Sequence, residues 1–335
     1  MRDDADVLTA LSESYRRFAV EEARGVSALY ESMAGFVAQS PEILSFLTSL
    51  PAERRQPNLF LAAVRHVAGV PASGEALVDV IRRSPGDVQQ VMLSRTTQTN
   101  EPGRCAVLLP VLAGLPQPLA LLEVGASAGL CLLPDRYGYD YGAVSLAPEA
   151  GSGTPPVFPC WATAETPLPS ALPTVVWRTG LDLNPLDVYA EADMGWLETL
   201  VWPGQQHRAA RLRAAVELAR RDPPWVHRGD LLTDLPALMD TAPGDATLVV
   251  FHTAVLAYVP DRGLRERFAE AMMAAPAVWI SNESPRVFPQ MAAHAPPPPA
   301  SGQFLLSVNG APVAWTGPHG QSIDWFGGSA PLTPS

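Results

Sequence analysis

Leu119-Ala120-Leu121-Leu122-Glu123-Val124-Gly125-Ala126-Ser127-Ala128-Gly129-Leu130 sets the frame for the rest of the chain. Four apolar residues in a row, then Val124, suit a strand covered on both faces, as in a parallel sheet. Glu123 stands at the carboxyl end of that strand. Gly125 and Gly129 bracket Ala126, Ser127 and Ala128. Residues this small let backbone N–H groups and a helix N-terminus come close to a ligand. The stretch therefore predicts a strand, a sharp turn and the start of a helix continuing over residues 131–136.

Working outward, residues 1–117 read as a helical N-terminal cap. Over 7–37 the apolar residues recur at helical spacing (Leu8, Leu11, Tyr15, Phe18, Val26, Leu29, Tyr30, Met33). Ser40-Pro41 is a cap followed by a first-turn proline, opening 43–50. Further helices are expected at 58–70, 73–83, 87–97 and 105–115. The last of these is apolar, and the polar cluster Gln98 to Glu101 and then Arg104 lie just before it. A charge at the start of a buried helix must be paired, solvated or committed to an anion. Asn100 and Arg104 are the candidates to hold a ligand carboxylate.

Downstream, residues 118–335 read as an α/β domain. Residues 137–173 form a Pro/Gly-rich insertion with short β-prone pieces at 143–146 and 157–161. Thr174 to Asp182 is a strand ending in an acid, and Asn184-Pro185 should open a helix. Strands follow at 225–230, ending in Gly229-Asp230, and at 247–253 and 277–283. Asn309-Gly310 between apolar runs predicts a C-terminal antiparallel hairpin. Polar residues recur where strands end: Glu123, Asp182, Asp230, His252 and Glu283. Parallel strands present their carboxyl ends to one edge, where ligands bind in open α/β sheets.

Composition narrows the chemistry. The chain has 335 residues, 47% of them hydrophobic, enough for a sizeable core. No apolar run approaches the length of a transmembrane helix. The acidic N-terminus lacks the basic and apolar regions of a signal peptide. The expectation is a cytoplasmic protein with a small-molecule substrate and no membrane partner. A net charge of −11 argues against nucleic acid. All 23 basic residues are arginine, which excludes a P-loop lysine, a pyridoxal Schiff base and a lysine nucleophile. Three scattered cysteines suggest no metal site and fit reduced thiols. The sequence leaves the oligomeric state open.

These residues resemble, in order and spacing, a class I S-adenosylmethionine-dependent methyltransferase core. EVGASAGL is similar to its first motif, GLDLNP to its second-strand acid, RGDLL to its third-strand acid and VVFHTAV to its fourth strand. The terminal hairpin resembles that fold's sixth and seventh strands. More closely, QTNEPGR, LLEVGASAGL, GLDLNPLDV, VVFHTAVLAYV and the terminal PHG segment resemble a bacterial domain-of-unknown-function family (number twenty-three thirty-two). The resemblance implies a Rossmann-like, mostly parallel sheet behind a helical N-terminal region, with S-adenosylmethionine as cofactor. It places Gly125, Ala126, Ser127 and Gly129 against the cofactor's amino-acid part and Glu123 near its ammonium. Asp182 would take the ribose hydroxyls and Asp230 the adenine amine. His252 would be the general base, titrating near neutral pH, with Glu283 a second catalytic candidate. Two departures stand out. Asp182 lies more than 50 residues beyond the turn, against about 20 in dinucleotide folds, and Cys131 replaces the asparagine of the closer family.

The letters Gly125 to Gly129 also match the G-x-S-x-G nucleophile elbow of α/β-hydrolases. That alternative makes Ser127 the nucleophile of an esterase, Asp230 or Asp261 its acid and His319 its base. It expects strands and an oxyanion loop before the elbow, where this chain reads as helical. A ligand-binding protein without turnover is the third reading.

Overall fold

The computed structural model describes residues 2–98, 100–149 and 154–328. Thr99 of the Gln98–Arg104 segment, residues 150–153 of the insertion and residues 329–335 of the expected second domain lie outside the described residues. The chain opens with α1 (Arg2–Arg17), which continues as a π-helical turn (Phe18–Ala23). Then come α2 (Ala28–Val37), α3 (Pro41–Thr48), α4 (Pro57–Ala68), α5 (Gly74–Arg83) and α6 (Pro85–Ser94). The hydroxyls of Ser27, Ser40 and Ser73 accept the N–H groups of Tyr30, Ile43 and Ala76, satisfying amides that the first turns leave open.

After α7 (Cys105–Gly114) and β1 (Leu119–Val124) come β2 (Gly138–Asp140), β3 (Ser145–Leu146), β4 (Val157–Pro159), β5 (Trp161–Ala162) and β6 (Val175–Asp182). Next are α8 (Glu191–Leu200), α9 (Gln206–Ala219), β7 (Trp225–Arg228), α10 (Leu235–Met239), β8 (Thr247–Thr253), α11 (Arg262–Ala274) and β9 (Val278–Glu283). The chain closes with α12 (Pro289–Ala292), β10 (Phe304–Val308), β11 (Ala311–Thr316) and β12 (Ser322–Trp325).

Among the described residues the large sheet runs β5-β12-β11-β10-β9-β8-β1-β6-β7, and β3-β2-β4 form a second, small sheet. β7, β6, β1, β8 and β9 are mutually parallel. β10, β11 and β12 follow as an antiparallel meander. By chain position the parallel strands lie third-second-first-fourth-fifth, so the order reverses at β1. In open α/β sheets such a reversal opens a crevice at the carboxyl ends of the strands. The fold is thus α/β, mostly parallel, with antiparallel C-terminal strands.

Two sequence expectations fail locally. No helix follows the glycine turn: residues 130–132 and 134–136 are single 3-10 turns, and the chain then enters β2. Leu133 between them leaves helical geometry, with φ −113 and ψ 37, and Pro134 cannot supply the N–H that a continuing helix needs. Nor does Asn184-Pro185 open a helix; α8 begins only at Glu191.

The chain separates into two compact units, 1–99 with 192–210, and 100–191 with 211–335. The boundary expected at 117 therefore falls at 99, because α7 belongs with the second unit. There Tyr141 Oη donates to Ala106 O at 2.6 Å and the Cys105 thiol approaches Cys131 O at 3.5 Å. The first unit recruits a distant segment. Trp196 and Leu200 join a core of Tyr15, Tyr30, Met33, Phe60 and Met92. Trp196 Nε1 donates to Thr96 O, Trp202 Nε1 to Asn58 Oδ1, and Arg65 to Thr199 O and Val201 O. No helix among the described residues is long and apolar enough to cross a membrane.

Candidate functional site

Strand register decides which strand-end residues meet. Glu123 pairs with Gly180 of β6 and Phe251 of β8, so these side-chain positions share one face. Side chains alternate along a strand, which puts Asp182, Thr253 and Asn282 on the Glu123 face. His252 and Glu283 lie on the opposite face, with Leu122, Val124, Val250 and Trp279, against Phe268 and Met272 of α11. The five polar strand ends are not one set.

His252 is not exposed at all, and both its ring nitrogens are occupied. Nε2 accepts from Trp279 Nε1 at 3.0 Å, so it carries no proton; Nδ1 carries it and donates to Glu283 Oε1 at 2.8 Å. The expected general base is therefore a structural histidine, with no lone pair left for a ligand. Glu283 Oε1 also accepts the N–H groups of Val255 and Leu256 at 2.9 and 3.1 Å. Together they fasten the turn after β8, in which Ala254 has φ 55. Glu283 sits under this turn rather than at the Glu123 face.

The glycine turn is held closed by its own bonds. Gly125 and Ala126 donate to Leu181 O, Gly129 donates to Ala126 O, and Leu130 donates to Asn100 Oδ1 at 3.0 Å. Ser127 N–H donates to Asp182 Oδ2 at 2.7 Å, and Asn184 N–H to Asp182 Oδ1 at 2.7 Å. The expected row of amides facing a ligand is thus mostly spent within the protein. The glycines answer packing. A Cβ on Gly125 would lie 2.4 Å from Val255 Cγ2, and one on Gly129 would lie 2.6 Å from Pro224 Cγ. Both have positive φ, 73° and 74°, which only glycine adopts freely. Asn100 braces the turn rather than facing a ligand.

Glu123 is buried, and its Oε2 has no hydrogen-bond partner. Burial pushes its carboxyl well above the usual range; the nearby Cys131 thiol and Asp182 add to this, and Arg104 opposes it. Cys131 is itself raised, first by its hydrogen bond with Cys105 and then by burial. Its thiol also approaches Glu101 O at 3.4 Å. Arg104 is 6% exposed. Nε donates to Pro318 O at 2.9 Å, and Nη1 to Thr253 O at 3.0 Å and Thr253 Oγ1 at 3.4 Å. Its guanidinium carbon lies 5.9 Å from the centre of the Phe304 ring. Asp230 is exposed and caps its own turn, accepting Leu232 N–H at 2.8 Å.

Ser127 is buried at φ 55, and its Oγ has no partner. The hydrolase triad does not assemble. Asp261 caps α11 through Gly263 and Leu264, and His319 Nδ1 lies 3.7 Å from Glu101 Oε2. The strand–turn–helix context of an elbow is missing as well. Sequence reasoning overlooked Thr253, Asn282 and Thr316, which the register gathers beside Arg104. Thr253 and Asn282 were visible only as the polar letters that follow two apolar runs. Among the described residues no group of three or more His, Cys, Asp or Glu side chains could hold a metal ion.

No curated protein and no solved structure matches this chain. A family model, described as "Uncharacterized protein conserved in bacteria (DUF2332)", matches residues 12–325. That match spans nearly the whole described chain, both units included, and so the protein belongs to this bacterial family.

Proposed function

We propose that the protein is an S-adenosylmethionine-dependent methyltransferase acting on a small molecule. The observation that carries this reading is the pair of acids, Glu123 and Asp182, ending adjacent strands on either side of the turn where the sheet order reverses. A dinucleotide or nucleotide phosphate needs a row of unspent amides or a helix N-terminus, and here the N–H groups of Gly125, Ala126, Ser127, Gly129 and Leu130 are already bonded within the protein. A nucleoside bearing an ammonium and hydroxyls needs carboxylates instead.

The residues fit such a group. Glu123 Oε2 is buried without a partner, which suits an ammonium donor. Each oxygen of Asp182 accepts one backbone N–H, which orients the carboxylate that would take the ribose hydroxyls. Asp230 is exposed at the end of the neighbouring strand and would take the adenine amine. When bound, the cofactor supplies a methyl group on a sulfonium. The protein's part is to align donor and acceptor in line and exclude water. His252 plays no proton-transfer part in this reading.

The test is calorimetric titration with S-adenosylmethionine and S-adenosylhomocysteine. Asp182→Asn and Glu123→Gln are the variants of choice, because each keeps its shape. Removing the Asp182 carboxylate altogether would strip two amides of their acceptor and weaken the fold. Saturable binding of either compound, weakened roughly tenfold or more by each variant, supports the cofactor. Absence of binding by the folded parent protein rejects it.

A further inference from the structure

Arg104 and Asn282 close one corner of the sheet edge from two sides. Thr253 and Asn282 are register partners on β8 and β9, so their Cα atoms lie about 4.8 Å apart, with both side chains on one face. Arg104 Nη1 holds Thr253 and Arg104 Nε holds Pro318 O. Asn282 Oδ1 accepts from Thr316 Oγ1 at 2.7 Å, two residues before Pro318. Both side chains are therefore anchored to the same segment, residues 316–318.

Each keeps a donor unspent. Asn282 is fully buried, and its Nδ2 has no hydrogen-bond partner. Arg104 uses Nε and Nη1, and no hydrogen bond or ion pair engages Nη2 among the described residues. A buried guanidinium without a carboxylate is costly unless an anion completes it. Glu123 does not serve that need, because no hydrogen bond or ion pair joins it to Arg104 among the described residues. We infer that Arg104 Nη2 and Asn282 Nδ2 together bind the carboxylate of the methyl acceptor, so that the substrates are small monocarboxylic acids. One positive charge matches a monoanion better than a phosphate dianion. A planar carboxylate can take one N–H from Arg104 Nη2 on one oxygen and one from Asn282 Nδ2 on the other. The corner lies on the β8–β9 side of Glu123, away from Asp182, so it would address the acceptor rather than the nucleoside. This rests on the methyltransfer reading for the acceptor role, though not for the anion site itself.

The full-length protein is titrated with acetate and with benzoate, using acetamide and benzamide as uncharged controls, with and without S-adenosylhomocysteine. The expected result is saturable binding of a carboxylate and none of its amide. Arg104→Gln and Asn282→Leu should weaken binding roughly ten- to a hundredfold. Asn282→Asp keeps the side-chain shape and the acceptor for Thr316, and sets a negative charge against Arg104. It should fold as the parent does, by circular dichroism, and lose carboxylate binding, which a purely structural asparagine would not predict. Lack of saturable carboxylate binding, or binding unchanged in folded Asn282→Asp, overturns the inference. If S-adenosylhomocysteine binds and carboxylates do not, the anion site falls and the methyltransferase reading stands. If carboxylates bind and neither S-adenosyl compound does, the reverse holds.

Discussion

Glu123 ends β1 in full burial with one oxygen unpartnered. Its raised pKa has a consequence for stability. The unfolded chain ionises near the ordinary value of 4.5, while the folded protein holds the proton to higher pH. The native state therefore binds more protons across that window, and stability is lost as pH rises from the unfolded value towards the folded one. Glu123→Gln removes the titration. Urea unfolding at several pH values should show the variant gaining on the parent as pH climbs above about 5. A stability difference between the two that does not change with pH would refute this account. The same residue scale shows why letters alone misled at His252. A histidine at a strand end is a reasonable base until its neighbours are known. The indole of Trp279 and the carboxylate of Glu283 then use both of its nitrogens.

At the scale of elements, the glycine turn is defined by what leans on it. Gly125 has positive φ and Val255 against its missing Cβ, whereas Gly142 has positive φ and nothing within 4 Å. Gly142→Ala should cost about 1–2 kcal/mol, the dihedral penalty alone. Gly125→Ala adds overpacking and should cost about 2–5 kcal/mol. Chemical denaturation of both variants checks the difference; equal costs would mean that the Val255 contact yields freely. Secondary structure was legible in the outline of elements: helices before residue 115, strands ending at Asp182, Thr253 and Glu283, and a hairpin at Asn309-Gly310. It was not legible just after the turn. Residues 130–136 carry helix-compatible letters up to Pro134, and the geometry is settled by bonds from afar. Asn100 takes the Leu130 amide and Tyr137 Oη donates to Leu130 O at 2.8 Å.

At the scale of the whole molecule, two units interleave along one chain. The first is completed by a segment that begins nearly a hundred residues after its other helices, at Ala192. Trp196 is 1% exposed there, in a core with Tyr30, Phe60 and Met92. Trp196→Ala should destabilise that unit by about 3–5 kcal/mol. Hydrogen exchange read by mass spectrometry should show faster exchange in α4 and α6 and a smaller change in β1 and β8. Uniform acceleration across both units would instead mean that they unfold as one.

The sequence by itself determined the class of fold, because strand and helix periodicity are local properties of side-chain order. It placed an acid at the end of each of the first two parallel strands and a glycine turn between them, and it excluded lysine chemistry outright. Only the tertiary structure decided which of the polar strand ends share a face, because a one-residue step along a strand reverses a side chain's direction. That step separates His252 and Glu283 from Glu123 and Asp182, and it sets Asn282 beside Thr253, which Arg104 holds. Burial and hydrogen bonding then fixed what each residue is free to do, since both depend on atoms brought together from distant parts of the chain.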